Sequence, residues 1–274
     1  ALASPARGQS VDAFGLKVGP WPAMEAKLLV TDAAGRTLRP TLADLQVWEE
    51  GVPVQNLRLN CPQPVEIRPA SIALSIDISN SMSRDLPPEV MILARSFSTA
   101  LVRGTTMPPS DVALQVCDDA PRTLVDYTTN KQRLVDVISS VVPRGGNDFV
   151  KHLLDPDDGI LTIASRGSNA RSAVLVTDAF WESMSSDDVE RSIDICTRNN
   201  VRFFVVVMTE RGLSTTGIVE SFRTIAAATG GGVFEGVTTD SMAATLAASL
   251  ATTIQGAEPC TVMWDAWPLC PAAD

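Results

Sequence analysis

A carboxylate and two hydroxyls stand at alternate positions in Asp77-Ile78-Ser79-Asn80-Ser81, directly after the largely apolar run Ser71 to Ile76. A second run, Ser172 to Thr177, ends on Asp178, and a polar loop, Gly145-Gly146-Asn147-Asp148, lies between the two in the chain. Oxygen donors without an accompanying His or Cys suit a hard divalent cation, Mg2+ or alternatively Mn2+ or Ca2+, better than zinc or copper. Mg2+ in particular keeps part of its coordination sphere for water or for an oxygen from outside the protein. The same residue types also make helix caps and tight turns, so the local pattern leaves both readings open.

Other chemistries find little support. The sole histidine is His152, flanked by the apolar Phe149 and Leu153, and it reads as a packing or surface residue. A Ser/His/Asp hydrolase would need it as the base, and no Gly-x-Ser-x-Gly elbow surrounds a candidate serine. The position two residues after Asp77 is Ser79, where a phosphoaspartate phosphatase would place a second aspartate. Neither a phosphate-binding loop nor a dinucleotide fingerprint is present. The acidic pairs Asp118-Asp119 and Asp157-Asp158 read as solvated loops.

The elements that must position these residues alternate along the middle of the chain. SIALSID, DVALQVC, SAVLVTD and VRFFVVV are short, nearly continuous apolar runs, the pattern of strands covered on both faces in a parallel sheet. TLVDYT (Thr123 to Thr128) reads as an edge strand and GGVFEGV (Gly231 to Val237) as a weak last one. Between them lie helical patterns at Pro87 to Gly104, Asn130 to Val142, Ser185 to Asn200, Thr215 to Gly232 and Thr238 to Gly256. The third of these helices shows an Asp187-x-x-Glu190 capping arrangement. The implied fold is a doubly wound α/β domain with a mostly parallel sheet over residues 69–256. In such a sheet ligands bind outside the carboxyl ends of the strands, which is where Asp77 and Asp178 fall. Residues 1–68 alternate apolar and polar positions without a long helical stripe, as expected of a small antiparallel β module. Residues 257–274 read as a further strand that either pairs back onto it or begins another domain, with pairing back the preferred reading.

The 274 residues carry 22 Lys and Arg against 32 Asp and Glu, a formal charge of -10. That balance argues against a nucleic-acid surface, which needs clustered cations. No stretch approaches the ~20 apolar residues of a membrane-spanning helix. Cys117 and Cys196 read as small buried hydrophobes. One disulfide is expected among Cys61, Cys260 and Cys270 if the protein is exported, with the pairing open.

Taken together, IDISNS, AVLVTDA and IAAATGGGVFE resemble the von Willebrand factor A domain and its metal-ion-dependent adhesion site. The resemblance covers about Pro69 to Gly256. It implies a divalent cation bound directly by Ser79 and Ser81, with Asp77 and Asp178 acting directly or through water. A carboxylate of a partner protein would fill the remaining position. The family's middle-loop ligand is threonine after Gly-Gly, where this sequence has Asn147. The family's glycine after the second aspartate is here Ala179, followed by Phe180 and Trp181, which would either contact a partner or pack over the sheet edge. The segment VTDAAGRTLRPTLADLQVWEEGVPVQNL resembles the immunoglobulin-like strand module that precedes such domains in many bacterial surface or exported proteins. The expectation is a non-catalytic protein-binding or adhesion module, secreted, periplasmic or on the cell surface. The alternative is a structural or assembly component that keeps the fold and binds no metal.

Overall fold

The structure, a computed structural model, describes residues 10–18, 22–31, 37–49, 51–54, 56–61, 68–83, 90–180, 183–208, 217–256 and 260–266. The chain divides into two units, Ala1–Glu66 with Gly256–Asp274, and Ile67–Gln255.

The first unit begins with β1 (Ser10–Val18), β2 (Ala23–Thr31), β3 (Thr37–Leu38), β4 (Trp48–Glu49), β5 (Val52–Pro53) and β6 (Arg58–Asn60). The second unit contains β7 (Ala70–Asp77), α1 (Val90–Gly104), β8 (Asp111–Cys117), β9 (Pro121–Thr128), α2 (Lys131–Ser140), α3 (Phe149–Leu154) and α4 (Ile160–Ser165). It continues through β10 (Ala170–Thr177), α5 (Ser186–Arg198), β11 (Val201–Val207), α6 (Gly217–Thr229), β12 (Gly232–Phe234) and α7 (Asp240–Ile254). The chain then returns to the first unit as β13 (Cys260–Asp265).

In the second unit six strands pair in the order β12-β11-β10-β7-β8-β9. Every neighbouring pair is parallel except β8 with β9. The strand alternation explains where polar residues can sit. Ile72, Leu74 and Ile76 of β7 join a core with Phe97 and Leu101 of α1 and Ala247 and Leu250 of α7. The opposite face of β7 carries Ser71, Ala73, Ser75 and Asp77, small or polar residues that admit α3 and α4 close to the sheet. On that side Ala73, Ala113, Ala173 and Leu175 pack with Phe149, Leu161, Phe203 and Phe222.

All eight residues of β7 are buried, as the continuous run requires of a strand covered on both faces. The short helices α3 and α4 were not expected as two elements. Each is six residues long, interrupted by the turn at Asp155, and so too brief for a helical period to show. The cap of α5 is Ser185, whose hydroxyl accepts the Asp188 N–H at 3.2 Å, rather than the Asp187 arrangement read from the sequence. Serine three residues before an aspartate satisfies the first-turn donors two residues earlier. His152 is fully buried, and Cys117 and Cys196 are buried free thiols.

Two acidic pairs differ from expectation. Asp118 is only 8% exposed and its Oδ2 accepts from Arg122 and from Arg144 Nε, each at 2.9 Å. Asp158 Oδ1 accepts the Thr123 N–H at 3.2 Å and the Thr123 hydroxyl, tying the α3–α4 connection to the edge strand β9.

The first unit has the antiparallel order β1-β2-β13-β6, with β3 also on β2, and a separate β4–β5 hairpin. Cys260, Val262 and Trp264 of β13 are buried in its core with Leu28 and Val30. Cys61 and Cys260 form a disulfide across 199 residues of sequence. Cys270 lies outside the described residues, as does Ala34-Gly35, which the sequence reads as a turn between strands.

Candidate functional site

Asp77 is the last residue of β7, and Thr177, the last of β10, stands next to it, one step beyond the register pair Ile76 and Val176. Period-two alternation puts both side chains on the α3 face of the sheet. Because β7 pairs with β8 on one side and β10 on the other, the chain reverses its direction of travel across the sheet here. This is the crevice in which open α/β sheets bind ligands.

Asp77 is fully buried and collects three donors. The Ser79 N–H donates to Oδ1 at 2.9 Å, while Asn147 Nδ2 and the Thr177 hydroxyl donate to Oδ2 at 2.8 and 2.6 Å. Thr177 Oγ1 also accepts the Ala179 N–H at 2.9 Å, so one side chain fixes both Asp77 and the turn carrying Asp178. Asp178 is 7% exposed. Burial, and then the neighbouring Asp178 carboxylate, push Asp77 up from the ordinary aspartate range to about 7, against the pull of its hydrogen bonds.

The two serines meet directly: Ser79 Oγ and Ser81 Oγ are 3.0 Å apart. Asn147 reaches the same place from the loop before α3, whose own start is capped by Asp148, its side chain accepting from the Lys151 N–H at 3.0 Å. The amide nitrogen of Asn147 is committed to Asp77, and its Oδ1 is buried and accepts no hydrogen bond from the described residues. Asp77, Ser79 and Asn147 are thus joined in one hydrogen-bonded network, with Ser81 against Ser79 and with Asp178 as the charge that raises Asp77. Among the described residues no three His, Cys, Asp or Glu side chains gather as a metal cluster; any cation here would rest on two carboxylates plus hydroxyl and amide oxygens.

Ala179 has a φ of 53°, the left-handed region. That conformation costs a non-glycine residue about 1–2 kcal/mol, so glycine would be the favoured residue at this position. The half-buried Phe180 follows it, and Trp181 lies outside the described residues.

No protein-family model matches the sequence, and none of the curated proteins does. Solved structures do match. A von Willebrand factor type A protein from Catenulispora acidiphila aligns at TM-score 0.55 and 15% identity over 91% of this chain and 50% of that one. The chain has the von Willebrand factor A fold. The hypothetical protein BatB from Bacteroides thetaiotaomicron aligns at TM-score 0.51 and 15% identity over 67% of this chain and 99% of that one. The PilB minor pilin from Streptococcus sanguinis aligns at 0.52 and 11% over 90% and 78%. At such identities the likeness concerns the fold alone.

Within this von Willebrand factor A fold, two contributors were missed in the sequence. Thr177 was visible as the residue before Asp178, and strand alternation alone would have faced it toward Asp77. Asp119, whose carboxylate accepts the Gly146 N–H at 2.8 Å, carried no local signal because its partner lies 27 residues away.

Proposed function

We propose that the chain is a non-catalytic protein-binding module that holds a divalent cation at the carboxyl ends of β7 and β10. Mg2+ is the first choice, with Mn2+ or Ca2+ as alternatives. Ser79 Oγ, Ser81 Oγ and the Asn147 carbonyl are the direct donors in this reading, with Asp178 beside them. Asp77, whose lone pairs already serve three protein donors, holds the set together and acts through water. The cation would supply an open position for a carboxylate of a partner protein, giving orientation and cation dependence. The surrounding loops, including Phe180 and Trp181, would supply most of the specificity.

The observation that carries this reading is the buried Asn147 carbonyl, which has no hydrogen-bond partner among the described residues and sits in the same network as the serine pair. A buried carbonyl left unpaired is expensive, and a cation ligand position relieves it. The 3.0 Å between Ser79 Oγ and Ser81 Oγ, spanned here by a hydrogen bond between the two hydroxyls, is also compatible with two adjacent ligands of an octahedral Mg2+ at about 2.1 Å. Calorimetric titration of Mg2+, Mn2+ and Ca2+ into wild type, Ser79→Ala and Ser81→Ala tests it. Cation-dependent heat that either substitution removes is expected, and no response to any ion overturns it.

A second reading is a structural or assembly component with this fold and no metal, favoured because among the described residues no third carboxylate joins Asp77 and Asp178. The same titration separates the two. Placement outside the cytoplasm, secreted, periplasmic or on the cell surface, is supported by the Cys61–Cys260 disulfide, since such bonds persist in oxidising compartments. Among the described residues no helix is long and apolar enough to cross a membrane.

A further inference from the structure

The loop that delivers Asn147 is held from two sides. Toward the site, the Asn80 N–H donates to Gly145 O at 3.1 Å and the Arg144 N–H to Ile78 O at 2.5 Å. Away from it, the turn between β8 and β9 takes the loop: Arg144 Nε donates to Asp118 Oδ2 at 2.9 Å and the Gly146 N–H to Asp119 Oδ1 at 2.8 Å. The Asp119 carboxylate lies against both glycines. A Cβ on Gly145, which has φ +69°, would come within 2.8 Å of its Oδ2, and one on Gly146 within 2.7 Å of its Oδ1. The two glycines are therefore needed for this docking. From that fixed position the Asn147 carboxamide reaches Asp77 Oδ2 at 2.8 Å.

We propose that Asp119 is a positioning residue of the cation site: it sets how far the Gly145–Asn147 loop stands back from Asp77, and the longer side chain at 147 is matched to that distance. This rests on the cation reading above. A threonine hydroxyl ends one bond sooner than an asparagine carbonyl, so at this backbone position it falls about 1 Å short. Asn147 and Asp119 then form a compensating pair, and neither can be changed alone without loss.

The test is calorimetric titration of Mg2+ and Mn2+ into the full chain as wild type, Asp119→Ala, Asp119→Asn, Asn147→Thr and the Asp119→Ala/Asn147→Thr double variant. Asp119 is exposed, so its substitution leaves the core intact. Asp119→Ala is expected to weaken cation affinity by about tenfold or more, the usual scale for residues that orient ligands. Asp119→Asn, whose carbonyl still accepts the Gly146 N–H, should stay within about threefold of wild type. It loses the same charge, so equal losses in Asp119→Asn and Asp119→Ala would show a charge effect and overturn positioning. The double variant should bind better than the two single losses multiplied, because a released loop lets threonine approach. Independent of binding, the side-chain amide resonance of Asn147 should shift in Asp119→Ala and hold in Asp119→Asn. Binding by Asp119→Ala equal to wild type overturns this role and leaves the cation reading standing. A wild type that binds no cation overturns both.

Discussion

Lowering the pH should destabilise the protein through one buried histidine, and the size of the effect follows from its surroundings. His152 is fully buried, with Nε2 against Ser75 Oγ and its ring stacked on Phe149, centroids 6.0 Å apart. The Ser75 hydroxyl donates to Gln115 Oε1, so His152 Nε2 must be the donor to Ser75, and the neutral ring carries its proton there. Nδ1 is buried without a partner among the described residues. Gln115 is in turn held through its Nε2, which donates to the carbonyls of His152 and Asp158. Among the described residues Asp148, at the start of α3, is the charge that favours protonation, and burial outweighs it. Burial thus pushes His152 down from 6.5 to about 3.

The sign follows from linkage. Below about 6.5 the unfolded chain binds a proton that the folded chain refuses, so this contribution to stability is complete above that pH. It falls by about 1.4 kcal/mol per unit as the pH drops toward 3. Between pH 7 and 4.5 the loss is about 2.5 kcal/mol. Asp77 acts in the opposite direction. Its proton is held up to about 7, so its contribution is complete below the unfolded aspartate value of 3.8 and is lost as pH rises through 7. The two slopes oppose each other across the mildly acidic range, so a wild-type profile alone is not diagnostic. The assay is urea unfolding of wild type and His152→Gln in chelator at pH 4.5, 5.5 and 7. Whatever cavity or hydrogen-bond penalty the substitution carries is constant with pH. The stability difference between the two proteins should therefore shift by about 2.5 kcal/mol in favour of the variant at the acid end. A difference that stays flat would refute the buried, neutral assignment of His152.

Four further outcomes are expected. Thr177→Val should lower stability by about 1–3 kcal/mol in thermal unfolding, because it leaves the Ala179 N–H without its acceptor and takes from Asp77 Oδ2 one of its two donors, Asn147 being the other; an unchanged protein would remove Thr177 from the site. Gly231→Ala should cost clearly more than Gly230→Ala, since a Cβ on Gly231 would lie 1.7 Å from the Phe203 carbonyl while one on Gly230 meets open space and only the φ of +71° opposes it. The Gly230 change is worth about 1 kcal/mol, and parity of the two by chemical denaturation would contradict the close approach. Cys61→Ala should lower the unfolding transition of the first unit by about 2–5 kcal/mol, as its disulfide with Cys260 closes a loop across 199 residues. Native protein should not react at Cys117 or Cys196 with a thiol reagent at pH 8, because both are buried, burial raising Cys196 to about 12 and Cys117 higher still; labelling before unfolding would contradict this.

The strands of the second unit could be read from the sequence because a parallel sheet covered on both faces demands unbroken apolar runs. SIALSID, DVALQVC, SAVLVTD and VRFFVVV each became a strand within two residues of the reading. The placement of Asp77 and Asp178 at strand ends followed directly, since the α/β order puts the polar residue that ends such a run at the sheet's carboxyl edge. The short helices α3 and α4 escaped for lack of length. What only the tertiary structure decided were pairings between segments distant in sequence: Cys61 with Cys260, Thr177 with Asp77, Asp158 with Thr123, and Asp119 with Gly146. Hydrophobic periodicity encodes which face of an element is buried, a property of neighbouring residues. Which polar group meets which depends on how far each loop stands from the sheet, and that distance is set by packing across the whole unit. Asp77, Ser79 and Ser81 were therefore legible as a group, while the burial of Asn147's carbonyl and the hold of Asp119 on its loop were not.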